Sequence, residues 1–277
     1  MYREALSRLV AVVGDESPPE LLSSSADGRV VAAFGAMVAK LGLPGEAART
    51  AAIMNAVTQA LGDQAPLVVP RLLWVRDDVL AMERLTGESF RALASGSDAL
   101  AAFTSAGQGV AALHSVQPSG LMRCGLSENI RDLIRPNPAQ IGVALPELSG
   151  RVGAIVQQLT DELAEPSRHV AIHRDLHLGQ MFVAGSRTAV IDWDLCALGD
   201  PALDLGNLRA YLCTRLPSTA DALWDAFVNG YGGRLPAGVD RYESLMYLRM
   251  ASKAYRMRGL AATRRITQLV VAAEACM

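Results

Sequence analysis

Residues 173–194 concentrate the side chains best suited to chemistry. They include two carboxylates and an amide, Asp175, Gln180 and Asp192, and a further carboxylate, Asp194. Carboxylate and amide oxygens are ligands that Mg²⁺ accepts, with water and substrate phosphates completing its shell. A carboxylate that stays off the metal can take a proton from a hydroxyl group. These residue types therefore predict a divalent-cation site with a general base beside it.

A β-hairpin is expected to bring these groups together. Residues 185–187, Gly-Ser-Arg, lie between two β-type runs and are typical of a three-residue hairpin loop. With that loop, counting outward along the strands places Gln180 opposite Asp192. Directly opposed side chains share a face, about 5 Å apart at Cβ. We therefore expect the amide and the carboxylate at the open end of the hairpin, with Asp175 one short loop upstream.

Each of these residues also has an ordinary structural interpretation. Asp175 and Asp194 could cap local turns, and Gln180 could be a solvated strand end. Their convergence on one end of a hairpin favours the catalytic hypothesis.

The alternation of His173, Asp175 and His177 admits a second hypothesis, a zinc-dependent hydrolase. Zinc favours nitrogen and sulfur ligands, and outside this loop only His114 and His169 remain. The four cysteines are far apart and form no CxxC pair. This hypothesis is the weaker one, and the metal content of the purified protein tests it.

The elements that must position these residues divide into a β-rich part and a helical part. Strand patterns lie at 21–23, 30–34, 36–40, 68–75 and 79–82, and helical patterns at 2–13, 45–61, 98–113, 148–163, 220–231 and 242–259. This order predicts an α+β fold with two lobes. The small antiparallel β lobe spans residues 1–86, and the larger, mainly helical lobe spans residues 87–277.

Composition narrows the class of protein. Net charge is −2 and no basic run alternates with aromatic residues, so we expect no nucleic-acid partner. No stretch of 18 apolar residues and no signal-type run at the start is present, so we expect no membrane partner and a cytoplasmic protein.

The motifs resemble the catalytic and metal loops of the phosphotransferase enzyme family, the aminoglycoside phosphotransferase and choline kinase-like small-molecule kinases. The resemblance implies a protein-kinase-like fold and Mg²⁺-dependent transfer of the γ-phosphoryl group of a nucleoside triphosphate, ATP or GTP, to a hydroxyl of a small-molecule acceptor. It implies Asp175 as the catalytic base and Asp192 as the main metal ligand. Gln180, where the family usually has asparagine, and Asp194 would be further ligands. Arg174 stands where glycine is common.

The segment after the metal loop also resembles the family. Asp200 and Asp204 are interpreted as caps of the following helix. Only seven residues separate Asp192 from Asp200, too few for a long activation segment. The spacing therefore favours a small molecule over a protein as the acceptor.

The resemblance also implies a nucleotide site. Lys40 matches the strand lysine that contacts the α- and β-phosphates, and Glu46 is a candidate for its helix partner. Composition supports Lys40, because of 26 lysine and arginine residues only Lys40 and Lys253 are lysine. The family's purine-binding backbone falls at Glu83 and Leu85. The turn that covers the phosphates is expected at Ser24 and Ser25.

Charge suggests a class of acceptor. Residues 205–277 hold ten Arg or Lys and five Asp or Glu, which favours a neutral or anionic acceptor such as a sugar or hydroxylated metabolite, with an antibiotic still possible. The alternative function is a catalytically silent, kinase-like nucleotide-binding protein. It is motivated by the glutamine at Gln180, the glycine-poor phosphate turn and the short spacing from Lys40 to Glu46.

Overall fold

The structure is a computed structural model that describes residues 2–15, 18–162 and 168–277. Its first part comprises α1 (Tyr2–Val13), β1 (Glu20–Ser24), β2 (Val30–Phe34), β3 (Met37–Leu41), α2 (Glu46–Leu61), β4 (Leu67–Val68), β5 (Leu72–Arg76) and β6 (Val79–Glu83). Five of these strands form one antiparallel sheet in the order β1-β2-β3-β6-β5. Helix α1 packs on the sheet through Ala5 and Leu9, which join Val30 and Phe34 in an apolar cluster.

The second part of the chain is mainly helical. It comprises α3 (Phe90–Leu93), α4 (Ala99–Leu113), α5 (Leu126–Leu133), α6 (Ala139–Ala144), α7 (Pro146–Glu162), β7 (Val170–Ile172), β8 (Met181–Ala184), β9 (Arg187–Val190), β10 (Ala197–Gly199), α8 (Ala202–Arg215), α9 (Ala220–Tyr231), α10 (Val239–Arg258) and α11 (Thr263–Ala275). The predicted α+β fold with a β-rich and a helical lobe is confirmed.

One predicted strand is wrong. Residues 68–75 do not form a single strand, because Pro70 cannot donate a ladder hydrogen bond and divides them into β4 and β5. Strand β4 leaves the five-stranded sheet and pairs in parallel with β9, with Leu67 opposite Thr188. The β-rich segment thus contributes a strand to the sheet that holds the predicted metal loop.

Close helix packing organises the helical part. Helices α4 and α9 touch through two glycines, and a Cβ atom on Gly107 would lie 2.1 Å from the carbonyl oxygen of Phe227. A Cβ atom on Gly230 would lie 1.9 Å from the carbonyl oxygen of Thr104. Both distances are below van der Waals contact, so the crossing requires glycine at both positions.

A large apolar cluster joins the two parts. Ala51, Met54 and Val57 of α2 belong to the same buried cluster as Leu205 and Leu208 of α8. Within the described part of the chain, none of the helices combines the length and apolar character that a membrane span requires.

Candidate active site

Two groups on α8 hold the loop that carries Asp175. Strand β7 is buried throughout, and the chain leaves it at His173. The buried carboxylate of Asp204 accepts the backbone N–H groups of His173 at 2.6 Å and Arg174 at 2.7 Å. The amide of Asn207 donates to the carbonyl oxygen of Leu176 at 2.9 Å. The loop is therefore fixed from one helix face on both sides of Asp175.

Of the two aspartates predicted to cap α8, Asp200 does so and Asp204 does not. Asp200 accepts the N–H of Ala202 at 3.0 Å and so serves the start of α8 as expected. Asp204 does not cap its helix; its side chain turns back to the loop and also contacts Nε2 of His114 at 3.2 Å. Burial raises the pKa of Asp204, but the contact with His114 and the loop N–H groups outweigh it, so the pKa lies below its usual value.

Arg174 adopts a left-handed backbone conformation, with φ of 66°. Glycine reaches this region without the steric cost that a Cβ atom imposes. The buried Arg174 side chain compensates by donating to Asn129 Oδ1 at 2.9 Å and by pairing with Asp132 at 3.4 Å.

The predicted hairpin register is wrong by one residue. The loop has two residues, Gly185 and Ser186, because Gly185 takes a φ of 63° that allows a tighter turn. The N–H of Ile191, and not of Asp192, therefore donates to the carbonyl oxygen of Gln180, at 2.9 Å. Asp192 nevertheless contacts Gln180. The left-handed backbone of Asp192, with φ of 68°, changes the direction of the chain, and the Gln180 amide nitrogen donates to Asp192 Oδ2 at 3.1 Å.

Lys40 lies between the two carboxylates predicted to bind metal. Its ammonium is 2.7 Å from Asp192 Oδ1 and also forms a short ion pair with Asp194. The second oxygen of Asp194 accepts the hydroxyl of Thr50, on α2, at 3.0 Å. Lys40 comes from β3 of the five-stranded sheet and Thr50 from α2. The two carboxylates come from the segment that follows β9.

The charges in this cluster stabilise one another. Burial favours the neutral form of Lys40, but Asp192 and Asp194 outweigh it and raise the pKa of the ammonium. Burial likewise raises the pKa of Asp192, and Lys40 together with the Gln180 amide lowers it further than burial raises it. Both groups are therefore ionised at neutral pH.

Glu46 does not pair with Lys40, which corrects the expected helix partner. Its carboxylate binds Arg29, with Nε of the guanidinium 2.9 Å from Oε2, and accepts the N–H of Leu43. The hydrogen bond from Arg29 lowers the pKa of Glu46 to about 2. The reason is position: Glu46 opens α2, whereas the residue that faces the Lys40 cluster is Thr50, one turn later.

The other predicted nucleotide contacts lie around the same sheet. Ser24 ends β1, and the N–H of Ser25 closes the following turn by donating to the carbonyl oxygen of Arg29 at 3.0 Å. Glu83 ends β6, where its N–H donates to the carbonyl oxygen of Arg71, and Leu85 follows two residues later. Their roles in phosphate and purine binding stay predictions.

Asp175 is shielded and faces an arginine that sequence reasoning missed. Nη1 of Arg249, on α10, lies 3.0 Å from Asp175 Oδ1. The pair lacks hydrogen-bond alignment, and this oxygen has no hydrogen-bond partner among the described residues. The contact is therefore electrostatic.

A cleft of about 250 Å³ lies beside the predicted catalytic and metal-binding carboxylates. It is lined by Arg29, Glu46, Arg49, Asp175, Asp192, Asp194 and Leu195. A larger cavity of about 470 Å³ lies between α3, α4 and the turn of the hairpin, but it contains none of the predicted catalytic or metal-binding residues. We assign the chemistry to the smaller cleft because the ionised groups converge there.

The donor set suits a hard cation. Asp192 and Asp194 already surround one positive charge, the ammonium of Lys40. Over residues 2–15, 18–162 and 168–277, no three His, Cys, Asp or Glu side chains are grouped as a metal site. Mg²⁺ fits such an incomplete set, because it usually keeps several waters and takes substrate phosphates as ligands.

The structure does not favour the zinc hypothesis, because the part of the chain that it describes groups no three His, Cys, Asp or Glu side chains as a metal site. Nε2 of His173 contacts the carbonyl oxygen of Ile191 at 2.9 Å, and Nδ1 of His177 accepts the N–H of Gly179 at 3.0 Å. Both rings are engaged in holding the loop.

Four residues of the site were missed from the sequence: Arg29, Arg49, Thr50 and Arg249. None stands in a motif, and Arg249 lies 74 positions beyond Asp175. The one available signal was the preference for arginine throughout the chain, which marks no single position.

Comparison with known proteins supports the fold and the family. The model of the phosphotransferase enzyme family matches residues 20–243. Among curated protein sequences, none matches this chain.

Three solved structures illustrate the shared fold. A choline/ethanolamine kinase family protein from Mesorhizobium loti has 18% identity and a TM-score of 0.67 over 99% of this chain and 94% of that one. An amicoumacin kinase in complex with AMP-PNP, Ca²⁺ and its antibiotic has 12% identity and a TM-score of 0.71, covering 99% and 96%. A macrolide 2′-phosphotransferase from Brachybacterium faecium has 23% identity and a TM-score of 0.58, covering 97% and 96%.

Proposed function

This chain belongs to the phosphotransferase enzyme family, and we propose that it is an active kinase that transfers the γ-phosphoryl group of ATP to a hydroxyl of a small molecule. One observation carries the proposal. Asp175, Asp192 and Asp194 line one cleft, and Lys40, from a distant part of the sequence, forms ion pairs with two of them.

The chemistry assigns one task to each group. The acceptor hydroxyl oxygen attacks the γ-phosphorus, and the bond from that phosphorus to the β–γ bridging oxygen breaks, releasing the nucleoside diphosphate. Asp175 orients the hydroxyl and takes its proton. Its place in the wall of the cleft, beside Asp192 and Asp194, supports this role.

Asp192, Asp194 and Gln180 would hold Mg²⁺. When bound, the ion neutralises phosphate charge in the transition state. The Gln180 amide now donates to Asp192, and rotation of the same amide would present its oxygen. Lys40 supplies a second positive charge, which we assign to the phosphates of the nucleotide.

The structural neighbours support a nucleotide donor and a small acceptor. The amicoumacin kinase contains AMP-PNP and an antibiotic in its complex, at the same fold and 12% identity. We propose ATP for this chain on that basis. We place the protein in the cytoplasm, because this nucleotide is abundant there.

Nucleotide binding and slow ATP hydrolysis, measured with and without Mg²⁺, test the proposal. We expect Asp175→Ala to lower turnover about 10²–10⁴-fold while nucleotide affinity changes less than about threefold. We expect Asp192→Ala to lose the Mg²⁺-dependent part of nucleotide binding.

The matched control is Asp225→Ala, which removes an exposed carboxylate on α9. It should leave both quantities unchanged. Mg²⁺-dependent binding without any hydrolysis or transfer would favour the catalytically silent alternative. No binding under any condition would refute both.

A further inference from the structure

Arg249 of α10 lies beside Asp175. Its Nη1 is 3.0 Å from Asp175 Oδ1 without an aligned hydrogen bond, so the guanidinium has donors left for another acceptor. Both side chains stay partly exposed, 21% for Asp175 and 19% for Arg249, so a molecule in solution can reach them. The remaining donors of Arg249 are therefore available to a bound acceptor.

More positive charge surrounds the same spot. Lys253 lies one turn beyond Arg249 on α10, on the same helix face, and is exposed. Arg215 ends α8, one turn beyond Tyr211.

The aromatic rings of His177 and Tyr211 lie close to these cations. The two rings pack against each other with centroids 4.6 Å apart. Burial lowers the pKa of His177; Arg249 and Lys253 lower it further, against the opposing effect of Asp175. Burial raises the pKa of Tyr211, a shift that Asp175 increases and that Arg249 and Arg215 oppose. The cations are thus close enough to act on both rings, and His177 is held neutral.

We propose that Arg249 determines acceptor specificity by binding a carboxylate or phosphate group that the acceptor carries in addition to its reacting hydroxyl. The inference rests on the proposed kinase function and adds the class of its acceptor: a hydroxylated acid or a sugar phosphate. Lys253 and Arg215 increase the attraction at the rim, and the rings of His177 and Tyr211 contact the carbon skeleton.

The geometry of the guanidinium suits an acid group on the acceptor. Its donors form a planar fork that can bind a carboxylate or phosphate through two parallel hydrogen bonds. An acceptor with several ammonium groups gains nothing here, because it meets Arg249, Lys253 and Arg215. This separates the predicted acceptor from polycationic antibiotics.

The test is a paired panel of acceptors with ATP and Mg²⁺. Each pair contains an acid and its uncharged parent: glycerate with glycerol, gluconate with sorbitol, and glucose 6-phosphate with glucose. A polycationic aminoglycoside completes the panel. ADP release reports transfer, and isothermal titration calorimetry reports binding. We expect the wild-type protein to bind or phosphorylate acids at least about tenfold better than their parents.

Arg249→Gln is the central variant. We expect it to raise KM for acids about 10–100-fold and to change kcat/KM for the parents less than about threefold. Arg249→Lys keeps the charge without the bidentate fork and should restore part of the affinity. The control Arg258→Gln removes an exposed arginine nine residues on, on the opposite face of α10, and should match wild type.

The outcomes separate the two proposals. A protein that binds ATP but prefers the aminoglycoside or the uncharged parents, or that neither binds nor phosphorylates any acid, overturns the acceptor inference and leaves the kinase function standing. A carboxylate preference and a phosphate preference both support it and identify the acid group. A protein that fails to bind ATP overturns the kinase function itself.

Discussion

At the scale of single residues, Thr50 connects the loop that carries Asp192 and Asp194 to α2. Its side chain is buried, and its hydroxyl donates to Asp194 at 3.0 Å. Glu46 forms its ion pair with Arg29, so Thr50 is the α2 residue that contacts the Lys40 cluster. A neutral hydroxyl fixes the carboxylate without competing for the charge of Lys40.

We predict that Thr50→Val weakens Mg·ATP binding. The substitution keeps the shape of the side chain but removes a hydrogen bond to a charged group, a loss of about 1–2 kcal/mol. The expected result is a roughly 5–30-fold higher KM for Mg·ATP with kcat less affected. Thr50→Ser, which retains the hydroxyl, should stay close to wild type, and an unchanged KM in Thr50→Val would count against the role.

Asp192 and Arg174 show why site geometry escapes the sequence. Both adopt positive φ without being glycine, as does Asp77. Pattern counting assumes extended backbone up to the end of a strand, and one residue in the left-handed region redirects every side chain after it. The identities of Gln180 and Asp192 were therefore predictable, but the two-residue hairpin loop and the left-handed backbone of Asp192, which together set their contact, were not.

At the scale of secondary structure elements, the crossing of α4 and α9 depends on missing side chains. We predict that Gly230→Ala destabilises the protein by about 2–4 kcal/mol, because a methyl group there overlaps the carbonyl oxygen of Thr104. Thermal or urea unfolding measures the change.

Gly150→Ala on α7 is the matched control. Nothing lies within 4 Å of a Cβ atom at Gly150, so alanine should stabilise that helix by about 0.5–1 kcal/mol. Opposite signs for the two substitutions are the expected result. Equal effects would contradict close packing as the cause.

Asp204 joins helix α8 to the loop that carries Asp175, through the N–H groups of His173 and Arg174. The strength of this connection depends on pH. Because the folded-state pKa of Asp204 is lowered from 3.8, its contribution is fully present above about pH 4–5 and is lost as pH falls through the folded value. We predict that Asp204→Asn costs about 2–4 kcal/mol at pH 7, since the amide cannot accept all of these donors.

The pH dependence of unfolding gives the check. The difference in free energy of unfolding between wild type and Asp204→Asn should be constant from pH 8 to about pH 5 and shrink below pH 4. A gap that grows on acidification would show that Asp204 is protonated in the folded state.

At the scale of the whole molecule, ligand binding should stabilise the fold, since residues from both the β-rich part and the helical part line the cleft. At a nucleotide concentration of 100 Kd, linkage gives about 2.7 kcal/mol. We predict that Mg·ATP raises Tm by roughly 5–10 °C in the wild type, and that Asp192→Ala loses the Mg²⁺-dependent part. Thermal scans of both proteins with ATP, with and without Mg²⁺, provide the measurement.

For the architecture as well, the sequence predicted local elements but not the contacts between residues far apart in the chain. Periodicity identified β1, β2, β3 and β6 of the five-stranded sheet and the helices α1, α2, α4, α7, α9 and α10, because each depends on local patterns. The pairing of β4 with β9 and the approach of Arg249 to Asp175 join residues more than 70 positions apart. Such contacts are selected by packing of the complete core and leave no local pattern. The division of lobes at residue 86 stays a prediction.

The position of Lys40 between two carboxylates has a consequence for covalent chemistry. Acylating reagents attack only the neutral amine, and the Lys40 side chain is 16% exposed with a raised pKa, whereas Lys253 is exposed. With only two lysines in the chain, intact mass spectrometry can follow each acylation event separately. Lys253 should be acylated first, and Lys40 slowly. The rate at which the second lysine is acylated therefore indicates whether a ligand occupies the cleft.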